Sequence, residues 1–262
     1  TVLVAVVTIG GLKSIASVAG KIVPFMALLY VVTTVGILLT FADQVPAAIS
    51  TVLTNAFSPT AAAGGFLGAT VMMAMRNGIA RGVFSNESGL GSAPIVAAAA
   101  KTKWPAEQGL ISMTGTFIDT IVICTLTGLS IVLTGAWKVP GLEGVQVTTY
   151  AFQNGLPFSN QFCAAVLMIC LVFFAFTTIL GWDYYGERCL EYLFNKNMKA
   201  VRAYRWLYII CVFIGPYMTV AAVWNIADIF NALMAIPNLI ALLALSKVCL
   251  LYTSDAADDL IG

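Results

Sequence analysis

The chain has 262 residues, of which 60% are hydrophobic and 10% charged, with 13 Lys+Arg against 12 Asp+Glu and no histidine. A mean hydropathy of +0.93 and recurring apolar runs of about 20 residues, enough to cross roughly 30 Å of hydrocarbon, exclude a water-soluble globular domain and predict an all-α polytopic membrane protein. The cations form no basic patch with interleaved aromatics, which excludes a nucleic-acid partner, and no obligate protein partner is evident.

In chain order, segment one is apolar from Val2 to Gly11, and GGLKSIASVAGK (10–21) reads as a connector. Segment two runs from Ile22 to Phe41 with Pro24 in its first turn, where a missing N–H costs little. Asp43 to Pro59 places Ile49, Val52 and Leu53 at helical spacing, which predicts a short amphipathic helix at the membrane surface. Segment three begins near Gly64 and continues to Lys101; WPAEQG (104–109) reads as a turn. Segment four, Leu110 to about Trp137, holds Asp119. Residues 138–160 form a long loop with a short helix around Val145–Phe152. Segment five covers Gln161 to Trp182, and the charged run 181–205 leaves the membrane. Segment six is Trp206 to Trp224, and segment seven is Ala227 to Leu245 with Pro237 inside it.

Residues 1–248 thus read as a transmembrane core. The run CLLYTSDAADD (Cys249–Asp259) matches one reading frame of a transposon-type sequencing adapter, so 249–262 is expected to be foreign sequence. The chain also starts within an apolar run without Met, and is expected to be truncated. Its six cysteines show no CxxC pair and read as small apolar residues in packed helices.

Orientation follows the lysines and arginines. Alternate loops collect Lys13, Lys21, Lys101, Lys103, Arg188, Lys196, Lys199, Arg202, Arg205 and Lys247 on one face and only Lys138 on the other. That asymmetry places the first set in the cytoplasm and supports a multi-pass protein of the cell membrane.

Segment three carries the chemistry. From Gly64 to Ala100 it would be ~55 Å long as one helix, at 1.5 Å per residue, which overshoots the bilayer. Its centre, RGVFSNESGLGSAP (81–94), holds Gly82, Gly89, Gly91 and Pro94. These residues predict two half-helices joined by an unwound link across Ser85–Ser92. Such a link is tolerated at depth only against protein or a water-filled cavity. It offers helix ends and freed carbonyls to a small charged solute.

Glu87 needs a partner there, from Arg81 or Arg76 in a structural ion pair or from a ligand directly. Asp119, flanked by Thr116 and Thr120, either accepts hydrogen bonds from the broken helix, binds a cation, carries a proton, or only packs helices. Thr177 and Thr178 are adjacent hydroxyls on an apolar helix. They suit a hard cation such as sodium, or bond their own helix at i−4. Trp182 lies one turn beyond Thr178 and is either an interfacial anchor or a wall of a site. Asn225, Asp228 and Asn231 share a face of segment seven, as a polar seam or outer gate.

GGLKSIASVAGKIVPFMALLY, RGVFSNESGLGSAP with its AAAA tail, WPAEQG, GTFIDTIVICTLTGL and FAFTTILGWDYYGE together resemble the alanine or glycine:cation (sodium:alanine) symporter family. The likeness spans residues 10–190. Ser88 stands where the family more often has Ala, and Thr-Thr where Ser-Thr is common. The resemblance implies a leucine-transporter-like fold of two inverted five-helix repeats. The chain then covers about helices 4–10, lacks helices 1–3, and holds broken helix six in segment three and helix eight in segment five.

The implied function is sodium-coupled symport of a small neutral amino acid, alanine or glycine, by alternating access. The implied sodium ligands are Thr177 and Thr178. The implied amino-acid site is Phe84, the backbone at Ser85 and Asn86, and Trp182, with Arg81, Glu87 and Asp119 in supporting or coupling roles. The alternative is a proton-coupled amino-acid transporter using Asp119 or Glu87. A serine hydrolase using Ser85 or Ser92 has no histidine to act as base, and an enzyme is not expected.

Overall fold

The computed structural model describes residues 1–57, 76 and 78–258. The first part of predicted segment three (64–75 and 77), Pro59 and the last four residues lie outside that set. Among the described residues every regular element is helical. Among the same described residues four helices are long and apolar enough to cross a membrane: Ser14–Thr40, Pro105–Leu133, Asn160–Leu193 and Val220–Lys247.

The elements are α1 (Val2–Ile9), α2 (Leu12–Thr40), α3 (Val45–Phe57), α4 (78–85), α5 (Ala93–Ala97), α6 (Pro105–Phe117), α7 (Thr125–Leu133), α8 (Val145–Gly155), α9 (Asn160–Leu193), α10 (Met198–Ile214) and α11 (Val220–Asp258). A π-helical stretch, Ile118–Cys124, joins α6 to α7.

Three predicted boundaries move. The expected connector 10–21 is helical from Leu12, so Pro24 lies inside α2. Leu, Lys, Ile and Ala in that run are adequate helix formers, and only Gly11, at φ 73°, breaks the chain. WPAEQG is a helix start, with Trp104 extended and Pro105 at the first helical position. The break between predicted segments six and seven falls at Gly215–Tyr217. There Pro216 cannot donate to the preceding turn. α10 is consequently 17 residues long, ~26 Å.

The chain divides into two compact units, Thr1–Gly68 with Val122–Tyr184, and Ala69–Ile121 with Tyr185–Gly262. The first has a buried cluster of Tyr30, Ile37, Phe152, Cys163, Leu167 and Cys170. Tyr30 packs on Phe152 and edge-on to Phe174 at centroid distances of 5.8 and 5.7 Å. Its hydroxyl is 2.7 Å from Thr127 Oγ1. Aromatic pairs of this kind contribute about 0.5–1.5 kcal/mol beyond their buried area. Cys163 and Cys170 are buried free thiols, as expected of small apolar residues in packed helices, whereas Cys124, Cys189 and Cys211 are exposed.

Hydroxyls in this unit mostly donate to their own helix: Thr34 to Tyr30 O at 2.8 Å, Ser130 to Leu126 O at 2.8 Å and Thr134 to Ser130 O at 2.7 Å. With no water among lipid tails, this satisfies the donor without a second helix.

In the second unit α6 packs against α11. The end of α9 is fastened to α10 by Glu187, which is 3% exposed and receives Arg205 Nε at 2.9 Å and Nη2 at 2.7 Å. A Cβ on Gly186 would run into the Tyr204 hydroxyl, so glycine sets the approach of these helices. Between them Asn195 and Lys196 take left-handed φ of 48° and 60°, and Asn197 caps α10 by accepting from the Lys199 N–H at 3.0 Å.

Candidate functional site

The predicted unwound link is present. α4 ends at Ser85, residues 86–92 are turn and bend, and α5 starts at Ala93. The reason is local. Glu87, Gly89 and Gly91 have φ of 51°, 75° and 80°, so no helical repeat continues through them. Glycine adopts this region freely. Glu87 does not, and a non-glycine residue held there stores roughly 1–3 kcal/mol of strain. Gly91 is needed twice, since a Cβ there would also lie 3.1 Å from the Asn238 side chain on α11.

Side chains hold Glu87 in that conformation. Ser92 Oγ, fully buried, donates to its Oε2 at 2.7 Å, and the Tyr185 hydroxyl donates to Oε1 at 3.2 Å. The carboxylate thereby ties the two ends of the link together. The expected Glu87–Arg81 pair is not the arrangement formed. Arg81 instead bonds both carboxylate oxygens of Asp228 through Nη2, at 2.5 and 2.7 Å.

The link is also held from the π-helical stretch. Ser85 Oγ donates to Asp119 Oδ2 at 2.5 Å. The Asn86 amide and the Thr120 hydroxyl bond reciprocally, Nδ2 to Oγ1 at 2.8 Å and Oγ1 to Oδ1 at 3.0 Å. Adjacent residues of an α-helix do not share a face. The wider π-turn, a geometry frequent at functional sites, lets Asp119 and Thr120 grip two consecutive residues. The Asn86 amide also donates to Gly82 O at 3.1 Å, so its side chain is committed to the link.

Within the second unit a cleft of about 500 Å³ opens beside the link. Its lining includes Ser85, Glu87, Gly91, Ser112, Asp119 and Asn238. Phe84, the last apolar residue before the break, meets Trp224 edge-on with centroids 5.5 Å apart.

The other predicted residues belong to the first unit, on α9. Thr177 Oγ1 donates to Phe173 O at 2.9 Å and Phe174 O at 3.2 Å, and lies 3.9 Å from Met26 Sδ. Thr178 is exposed and Trp182 half-buried. Asp183, beside Trp182, is fully buried. Sequence reasoning missed Asp183, Tyr185 and Trp224, named Ser92 only as the end of the link and a rejected nucleophile, and gave Thr120 no role of its own. The GWDYYGE run was the available signal for Asp183 and Tyr185.

The sequence profile described as the sodium:alanine symporter family matches residues 1–259. A transporter of Haemophilus influenzae without assigned function is 54% identical over 255 residues, 97% of this chain and 55% of the relative. The sodium/alanine symporter AgcS of Methanococcus maripaludis is 47% identical over 247 residues, covering 93% and 52%. The probable sodium/glutamine symporter GlnT of Bacillus subtilis is 39% identical over 239 residues, covering 91% and 48%. The chain thus spans about half the length of the curated relatives it matches.

Proposed function

Since the chain belongs to the sodium:alanine symporter family, we propose that the protein from which it comes carries a small neutral amino acid across the membrane, driven by sodium. It is a multi-pass membrane protein of a transporter family, and no enzymatic role is proposed. The observation that carries the reading is the interrupted helix: a link at 86–92 beside a cleft of about 500 Å³. Unwound backbone of this kind presents unpaired polar groups to a charged solute where a continuous helix has none.

In the proposed mechanism the fold is leucine-transporter-like, with inverted repeats and α4, the link and α5 as its broken sixth helix. The amino acid lies against the link, with the main-chain carbonyls at Ser85 and Asn86 facing its ammonium end, since the Asn86 N–H is given to Gly82 O at 3.1 Å. The Asn86 amide is spent on Thr120 and Gly82, so the contact there is a main-chain one. Phe84 bounds the side chain, and its bulk favours alanine or glycine; Trp182 is proposed as a further residue that selects for size. The names of the two symporter relatives, one for alanine and one for glutamine, mark the span of substrates to compare.

Sodium is the co-transported substrate, and Thr177 and Thr178 are its proposed ligands. A threonine hydroxyl has one proton and two lone pairs. Thr177 gives its proton to its own helix, which leaves oxygen lone pairs for a hard cation. Coupling requires that sodium and amino acid together favour a state that neither stabilises alone.

Radiolabelled alanine uptake by proteoliposomes of the full-length protein, with an inward sodium gradient and then without one at the same pH, tests the reading. Accumulation that follows sodium supports it. Accumulation that ignores sodium and follows a proton gradient shifts coupling to Asp119 or Glu87.

A further inference from the structure

Trp224 of α11 is gripped by two residues of α4. Its ring takes Phe84 edge-on, at 5.5 Å and 74°. The Arg81 guanidinium lies 3.9 Å from the centroid of the same ring, and Arg81 in turn holds both oxygens of Asp228. Arg81 and Phe84 are three apart on one helix, and Trp224 and Asp228 four apart on the other, so each pair shares a face.

The ion pair is half-exposed, with side chains 36% and 47% accessible, and such pairs stabilise little by themselves. Its effect is geometric. The Nη2 contact to both carboxylate oxygens anchors that end of the guanidinium, the guanidinium seats on the indole face that attracts cations, and the indole edge then favours one orientation of the Phe84 ring.

We infer that Trp224 is a positioning residue that sets the Phe84 ring, and thereby the largest amino-acid side chain the site accepts, with the Arg81–Asp228 pair holding Trp224 in place. This rests on the proposal that Phe84 lines the amino-acid site. The bland competitor is a packing contact between two helices, which would change yield or stability and leave selectivity alone.

The test uses the full-length protein in proteoliposomes, measuring KM and Vmax for alanine and the inhibition constant of leucine against alanine uptake. Trp224→Leu is expected to lower the alanine-over-leucine preference roughly tenfold, the scale on which a loosened apolar pocket loses discrimination. Trp224→Phe keeps an aromatic edge and should stay near wild type. Asp228→Asn, which keeps the side-chain volume, should move the preference the same way by a smaller factor and covers the case in which Trp224→Leu does not fold. Phe84→Leu is measured alongside. An unchanged preference in Phe84→Leu overturns the site assignment and the inference with it. A changed preference in Phe84→Leu with none in Trp224→Leu or Asp228→Asn overturns the inference alone.

Discussion

The two units spend their polar side chains differently. In the first, hydroxyls turn back on their own helices: Thr33, Thr34, Thr40, Thr127, Ser130, Thr134 and Thr177 all donate to carbonyls three or four residues earlier. In the second, Thr114 and Ser246 also turn back on their own helices, but the polar groups around the link reach across the chain. Ser85 finds Asp119, Asn86 finds Thr120, Tyr185 finds Glu87 and Arg81 finds Asp228. Back-bonding preserves a regular helix in an apolar solvent. Cross-chain bonding is what a backbone with three left-handed residues at 87, 89 and 91 requires, because no helical ladder supports it.

The largest expected effect comes from removing the carboxylate that spans the link. Glu87→Ala removes the acceptor of the Ser92 and Tyr185 hydroxyls, strands the buried Ser92 donor at about 1–3 kcal/mol, and should abolish uptake and lower the melting temperature of the full-length protein in detergent. Glu87→Gly relieves the left-handed strain while still removing the carboxylate. It should melt higher than Glu87→Ala and remain inactive. An active Glu87→Gly would mean that the backbone alone shapes the link.

Thr120→Val should act next. It removes the grip on Asn86 and is expected to raise the KM for alanine roughly five- to tenfold, about 1 kcal/mol, with Vmax moved less. Combining it with Asn86→Ala should cost less than the sum of the two, as for any pair in one network. Additive effects would show that the reciprocal bond does not hold the link. Trp182→Ala should then relax the discrimination between glycine and leucine, and unchanged discrimination would remove it as a wall.

The smallest effect belongs to the first unit's back-bonded hydroxyls. Thr34→Val conserves shape and deletes only an own-helix bond, so melting should shift by less than about 1 kcal/mol equivalent and the alanine KM should not move. A Thr34→Val that alters the KM as much as Thr120→Val would erase the contrast between the units.

The interrupted helix was legible in advance, because Gly89, Gly91 and Pro94 after SNES oppose a helix by local sterics alone. Asp119 as an acceptor for the broken helix was among the readings its intramembrane position allowed. The π-turn was not legible: TFIDTIVIC has the composition of an ordinary apolar helix, and the wider turn appears only with Ser85 and Asn86 bound to it. Nor was the Arg81–Asp228 pair, 147 residues apart in sequence, since periodicity says which face a charge occupies and nothing about which helix lies opposite. The misplaced break near Trp224 has a plainer cause. Continuous hydropathy through Ile214 and Val220 outweighed the Gly215–Pro216 dipeptide, which is a strong local stop.

The proposed division of labour puts the cation on α9 hydroxyls of the first unit and the charged part of the amino acid on the link of the second. Its most direct test is the sodium dependence of alanine uptake at saturating alanine, comparing wild type with the Thr177→Ala, Thr178→Ala double variant of the full-length protein. The account predicts a sodium half-saturation raised by about tenfold or more, roughly 1.4 kcal/mol, while Thr120→Val in the same assay leaves it unchanged. An unaltered sodium curve in the double variant, or an equal shift in Thr120→Val, would contradict it.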